Sequence, residues 1–289
     1  MTGTRVLTAL VLIPIVIAIV LFTPTWAVAL ATAVITILAL REFFALGDAI
    51  GHRAYRLWTI FCALLFICGQ WLGMNIQNLV TIATPNVSVI GLQRDTLFLS
   101  LVSFLLIYIF GITALTLWTR RPLVESLPSA GVTSSALLLV AFPLSFAVAL
   151  HGLPFGPRLL LFALAITWAA DTTAYFVGRA IGKHPLAPHI SPKKTWEGSI
   201  GSIIGSLAVA YAFSYWIHIP LHHLFIMATL GNIAGQMGDL LESAYKRSAG
   251  VKDSGALLPG HGGVLDRIDA LILCIPVIWY YLVLINPTL

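Results

Sequence analysis

Polar and apolar positions do not alternate finely along this chain; they segregate into long blocks. Apolar runs recur at about 5–22, 26–45, 57–73, 97–117, 131–149, 158–178, 199–217, 222–243 and 264–285, parted by short segments that hold Pro, Gly and most of the charge. A run of roughly 20 apolar residues is what a helix needs to cross a bilayer. Lipid offers the backbone no hydrogen-bond partner, so each segment must satisfy its own. The pattern predicts an all-α polytopic membrane protein of about nine transmembrane helices. The first run has one Arg before it and no small-residue cleavage site leading to a soluble domain, so it reads as a retained helix.

Composition agrees. Of 289 residues, 59% are hydrophobic and 9% charged, and the mean hydropathy is +0.96. Soluble domains carry about 25% charged residues, so a water-exposed globular surface is excluded. Cys62, Cys68 and Cys274 all fall in apolar runs without paired spacing and read as buried small hydrophobes.

The net charge of +5 gains meaning from its placement. With connections alternating sides, 14 of the 16 Lys and Arg residues fall on one side and only Arg94 and Arg158 on the other. Lys and Arg mark the cytoplasmic side, so the N-terminus is expected inside and the C-terminus outside.

The two halves differ. Residues 1–150 read as a plain scaffold of helices facing lipid or a second copy. Residues 151–289 read as the catalytic region, with cytoplasmic loops at 179–198 and 244–263. Seven of the 11 acidic residues lie there, at Asp171, Glu197, Asp239, Glu242, Asp253, Asp266 and Asp269. An acid in a spanning helix costs at least about 2.5 kcal/mol near the bilayer centre, so it faces protein or a wet cavity.

Four clusters carry this chemistry. In "WAADTTAYFVGR", Asp171 and Tyr175 share a helix face. In "HISPKKTWEGS", Ser191, Lys193, Lys194, Thr195 and Glu197 form a loop suited to phosphate oxygens. The following Gly201 and Gly205, four apart, read as a packing face. In "LGNIAGQMGDLLESAYKRSAG", Asn232, Gln236, Asp239 and Ser243 make one polar stripe, with Lys246 and Arg247 at its end and Gly231, Gly235 and Gly238 alongside. An interhelical seam would account for the amides but poorly for Asp239. In "KDSGALLPGHGGVLDRID", Asp266 and Asp269 share the first turn of the last helix, behind Lys252, His261, Gly262 and Gly263. Helix capping accounts for one such carboxylate, not for two. Hard oxygen ligands from facing helices suit Mg²⁺, which keeps several waters and completes its shell with phosphates.

Together these residues resemble the phosphatidate cytidylyltransferase, or CDP-diacylglycerol synthase, family. The family pattern is met by Ser243-Ala-Tyr245-Lys246-Arg247, Lys252-Asp253, Pro259-Gly-His261-Gly262-Gly263 and Asp266-Arg267-Ile268-Asp269, with Tyr245 in place of an aliphatic residue. "DTTAYFVGR" and "SPKKTWEG" match in order and spacing. The motif-bearing likeness covers about 165–270. It implies an Mg²⁺-dependent enzyme of the bacterial inner membrane, its site facing the cytoplasm. Such an enzyme joins CTP to phosphatidic acid, giving CDP-diacylglycerol and pyrophosphate. It further implies a homodimer without a nucleic-acid partner, and a second, monovalent cation such as K⁺. Carried over, Asp239 and Asp266 are metal ligands, with Asp269 ranked below them. Lys246, Arg247, Arg267 and His261 join the catalytic set; Ser191, Lys193, Lys194, Thr195, Glu197, Lys252, Gly262 and Gly263 hold phosphates; Asp171, Tyr175, Asn232 and Gln236 support them. A cation-coupled transporter using Asp171 and Asp239 is the alternative from another class. It would need acids reaching the outer half of the last four spans, and none fall there. A CDP-alcohol phosphotransferase would need a DGxxAR motif, which is missing.

Overall fold

A computed structural model describes residues 2–83, 89–257 and 262–285, with side chains described over 10–76, 102–257 and 262–285. The helices run α1 Thr2–Phe22, α2 Thr25–Ala49, α3 Arg56–Ala83, α4 Val89–Trp118, α5 Ser126–Ala136, α6 Phe142–His151, α7 Gly156–Ile181, α8 Trp196–Ser214, α9 Leu221–Ser248 and α10 Leu265–Ile285. A π turn at Leu137–Ala141 fuses α5 and α6 into one rod, Leu123–His151. Among the described residues, six helices are long and apolar enough to cross a membrane: α2, α3, the fused α5–α6 rod, α7, α9 and α10. Residues exposed on the outside are often large and apolar, among them Leu30, Ile204, Met237 and Leu284. That is the surface of a protein whose solvent is lipid. The chain is an all-α membrane protein of several spans.

Two expectations change. The loop 179–198 contains an antiparallel ribbon, β1 Pro185–Ala187 against β2 Ser191–Thr195, paired Pro185 to Thr195 and Ala187 to Ser191. Strand signals there are too short to read against Pro and Gly breakers. Cys62 and Cys274 are buried, but Cys68 is exposed. In lipid an apolar run does not imply burial in protein, because the outward face is apolar too.

The core lies where α2, the α5–α6 rod, α7 and α10 meet, around Leu40, Phe44, Leu137, Phe162 and Ile278. Small residues let the functional helices close up. A Cβ at Gly201 would stand 2.7 Å from the Val177 side chain, so α8 can press on α7 only because nothing is there. On α9, Gly231 faces Cys274 and Ile278 and Gly238 lies against the Asp269 carbonyl, which brings α9 against α10. Without a hydrophobic force between helices in lipid, close backbone approach of this kind drives packing.

Candidate active site

The start of α10 is held by two carboxylates from distant parts of the chain. A helix begins with free backbone N–H groups and a partial positive charge, both of which favour carboxylates. Two carboxylates converge on it. Asp266, in its first turn, accepts through Oδ2 from Gly263 N–H at 2.8 Å and from Ser254 N–H and Oγ–H, both at 3.0 Å. Its Oδ1 accepts from Lys246 Nζ at 2.6 Å. The second is Glu42, far away on α2. Its Oε1 accepts from Val264 N–H at 2.9 Å, and its Oε2 accepts from Leu265 N–H at 2.8 Å and Ser254 Oγ–H at 2.9 Å. A Cβ at Gly263 would drive into both Glu42 Oε2 and Ser254 Oγ, so this position must be glycine. Gly262 has φ +80°, a left-handed backbone that glycine adopts without strain. Protein carboxylates thus stand beside both of the glycines expected to admit a phosphate, Asp266 at Gly262 and Glu42 at Gly263.

Lys246, on α9, bridges Asp266 and Glu242, the latter one helical turn earlier. Glu242 is 5% exposed and Lys246 8% exposed, so this is a buried ionic triad. Further along, Asp239 pairs with Lys194 at the end of β2. Asp171 of α7 and Asp269 of α10 join the same field. The charge of Asp239 acts on both, Lys194 and Arg267 act on Asp171, and Glu242 acts on Asp269. One continuous cluster thus collects Asp171, Asp239, Glu242, Asp266 and Asp269 against Lys194, Lys246 and Arg267, five acids to three bases.

The sequence-predicted residues divide around this cluster. Asp171, Lys194, Asp239, Lys246, Asp266, Arg267 and Asp269 come together. Asn232 and Gln236 do not line a cavity; they form the seam between α8 and α9. Ser202 Oγ–H donates to Asn232 Oδ1 at 3.1 Å, Asn232 Nδ2–H donates to Ser206 Oγ at 2.6 Å, and Gln236 Nε2–H donates to Ser202 Oγ at 3.0 Å. Asn232 is 2% exposed, and Gln236, nearer the C-terminal end of α9, is partly exposed. Thr195 caps α8, its Oγ1 accepting from Gly198 N–H at 3.1 Å. Glu197 holds the His184 ring at 2.7 Å, and its acidity serves the ribbon in preference to a phosphate. Tyr175 is 57% exposed and accepts from Arg179 at 3.0 Å, one turn beyond Asp171. Arg247 donates to the carbonyls of Ile190, at 3.4 Å, and Val251, at 2.9 Å, tying the ribbon's tip to the end of α9. Lys193 and Lys252 are exposed, and Ser191 is partly exposed. His261 and Pro259 lie outside the described residues.

Two participants escaped the sequence reading, Glu42 and Ser254, and Glu242, named there among the acids of the second half, was given no role. Glu42 carried a signal, since it is an acid inside the apolar run 26–45. The rule that marked Asp171 applies equally to it.

The donor set has the chemistry of a divalent-cation site. The cluster is rich in carboxylate oxygen, and hard oxygen is the ligand Mg²⁺ takes. Glu242 Oε1 is buried without a hydrogen-bond partner among the described residues, which adds an unsatisfied acceptor. Among those residues no three His, Cys, Asp or Glu side chains already converge as an ion cage. Asp266 accepts from Lys246 and from the Gly263 and Ser254 N–H groups and shares the single Ser254 hydroxyl proton with Glu42, close to the capacity of a carboxylate. It would take an ion by releasing one donor, and Lys246 is the donor with a second carboxylate, Glu242, to retain it. The chemistry of the set fits; the arrangement has Lys246 standing between the acids.

Comparison with known proteins gives relatives over part of the chain. The chain is 47% identical over 140 residues to a phosphatidate cytidylyltransferase of Haemophilus influenzae, covering 45% of this chain and 46% of that protein. It is 46% identical over 125 residues to one from Staphylococcus saprophyticus, covering 43% and 48%. It is 40% identical over 134 residues to one from Bacillus subtilis, covering 46% and 50%. The matched stretch therefore spans about half the length of each of these relatives. The model of the cytidylyltransferase family, in contrast, matches residues 3–285, nearly the whole chain. With that match and a charged cluster set among spanning helices, this chain belongs to the cytidylyltransferase family.

Proposed function

We propose that this protein condenses CTP with phosphatidic acid, releasing pyrophosphate and leaving CDP-diacylglycerol in the membrane. The observation that carries the reading is the five-acid, three-base cluster built by α7, β2, α9 and α10 in a protein whose outer surface is apolar. A site for one water-soluble polyanion and one substrate that cannot leave the bilayer needs that combination. Relatives bearing the name phosphatidate cytidylyltransferase support it.

The reaction joins a phosphate oxygen of phosphatidic acid to the α-phosphorus of CTP, and the bond from that phosphorus to the pyrophosphate bridging oxygen breaks. A phosphate monoester has a second pKa near 6, so the nucleophile is largely dianionic at neutral pH without a general base. The barrier is electrostatic, and this kind of transfer is driven by positioning and charge neutralisation. Lys193 and Lys252, exposed at the mouth, would meet the incoming triphosphate. Lys194 and Arg267 would neutralise charge at the reacting phosphates, and Lys194 would exchange Asp239 for a phosphate oxygen. Lys246 would hold Glu242 while releasing Asp266. Asp239 and Asp266, with Asp269 and Asp171 behind them, would hold Mg²⁺, which when bound supplies Lewis-acid stabilisation of phosphate charge. A monovalent cation such as K⁺ would sit in the remaining acidic field. Glu42 and Ser254 keep the α10 start, and with it Asp266, in place.

The finer topology belongs to the same proposal. Nine spans put the N-terminus in the cytoplasm of a bacterial inner membrane, the C-terminus outside and the cluster facing the cytoplasm. The functional unit is proposed to be a homodimer.

The test uses the purified full chain with radiolabelled CTP and phosphatidic acid, with Mg²⁺ present or chelated. Label should enter lipid in the wild type, and Asp239→Asn should lower the rate by about 100-fold or more, as losing one key electrostatic group does. If label stays in the aqueous phase for the wild type, the reading fails. If Asp239→Asn matches the wild type at limiting Mg²⁺, the assigned role of Asp239 fails.

A further inference from the structure

A second cavity lies away from the acid cluster. It encloses about 870 Å³ between the end of α2, the start of α3 and the end of α4. That is within the roughly 300–1,000 Å³ range of small-molecule sites. Three arginines enter it. Arg121 is fixed, donating to the Arg53 and Ala54 carbonyls and to Ser129 Oγ, with its guanidinium 4.7 Å from the Tyr55 ring centre. Three of its five N–H groups are spent in this way, leaving two. Arg56 pairs with Asp48, and Arg53 has no acidic partner among the described residues. The cavity therefore keeps a surplus of two positive charges.

Its other wall is apolar and open to the side. Leu57 is 85% exposed and Phe61, one turn further on α3, is 53% exposed. Tyr55 and Trp58 also belong to the lining, with Tyr55 Oη and Trp58 Nε1 buried beneath it. Cationic groups beside an apolar strip fit a molecule with an anionic head and a hydrocarbon tail. Position points the same way. Glu42, which grips the start of α10, is six residues before Asp48 on α2, about 9 Å along the helix. The cavity thus lies at the same end of the bundle as the acid cluster, so a leaflet whose headgroups reach the one would reach the other.

We propose that this cavity binds one anionic phospholipid of that leaflet, its phosphate on Arg53 and Arg56 with Arg121 behind, and one acyl chain along Leu57 and Phe61. The site is separate from the acid cluster, and the proposal stands whether or not the chain transfers cytidylyl groups, because its readout is binding.

The experiment titrates the detergent-purified full chain with phosphatidylglycerol or phosphatidylcholine and counts retained lipid by native mass spectrometry. The wild type should retain one phosphatidylglycerol in preference to phosphatidylcholine. Arg53→Gln/Arg56→Gln should weaken that retention by about thirty-fold, the effect of two basic residues at a membrane surface. Arg120→Gln, which removes a neighbouring charge outside the lining, should leave it unchanged. Brominated phosphatidylglycerol should quench a share of tryptophan fluorescence that is lost in Trp58→Phe, which keeps the test open if the double variant misfolds. Equal retention in the double variant and wild type, or equal loss in Arg120→Gln, means general surface charge and overturns the site. Displacement of the lipid by millimolar inorganic phosphate means that free phosphate is the ligand and overturns the lipid assignment.

Discussion

Glu42 accepts a hydrogen bond from the backbone N–H of Leu265 at 2.8 Å, across 223 residues of sequence. This bond fastens the N-terminal helices to the start of the helix that carries Asp266 and Asp269. The first half of the chain is thereby part of the site's framework and not only a lipid-facing scaffold.

Removing Glu42 should loosen that start. Glu42→Ala strands the N–H groups of Val264 and Leu265, while the Ser254 hydroxyl keeps Asp266, and an unsatisfied buried donor costs about 1–3 kcal/mol. The melting temperature in detergent should fall by several degrees. Glu42→Gln, which keeps an acceptor oxygen, should fall less. Equal melting of Glu42→Ala and wild type would show that the bonds do not hold α10.

Gly263→Ala should act through the same contact. Its methyl collides with Glu42 Oε2 and Ser254 Oγ, so the variant should lose stability and activity together. Combined with Glu42→Ala, which vacates the space, it should cost less than the sum of the two single changes, because the residues share one interaction. Strict additivity in a double-mutant cycle would contradict the geometry.

The triad of Glu242, Lys246 and Asp266 makes a sharper forecast. Lys246→Met leaves two buried carboxylates without their cation, a loss of about 3–5 kcal/mol in comparable buried pairs. Adding Glu242→Leu removes one of those charges and should recover part of the stability. Recovered stability without recovered CTP turnover would separate the structural work of Lys246 from its work on substrate. If Lys246→Met alone melts like the wild type, the triad contributes nothing to the fold.

The seam of α8 and α9 should behave as packing. Gln236→Leu removes bonds to Ser199 and Ser202, and interhelical hydrogen bonds in membranes average about 0.6 kcal/mol. A modest drop in melting temperature with near-normal turnover per folded molecule is expected. A large fall in kcat with unchanged stability would put Gln236 in the reaction instead.

Much of this molecule is written locally. Apolar run length dictates membrane helices, because each must satisfy its own backbone in lipid. An acid in such a run must find protein or water, which singles out Asp171, Asp239 and Asp269 before any fold is known. The glycines at 201, 205, 231 and 238 announce close packing, and they do pack closely. Partnership is not local. Whether an acid serves a cap, a triad or a substrate depends on what another helix brings within about 3 Å. Asn232 and Gln236 became seam residues only because α8 presents Ser199, Ser202 and Ser206 to them. Asp266 acquired Lys246 and Ser254 by the docking of α9 and its following loop. Glu42 reached α10 through a contact that no spacing rule can encode. Helix formation depends on neighbours a few residues apart, which sequence lists in order; side-chain pairing depends on which helix faces which, and only the packed bundle decides that.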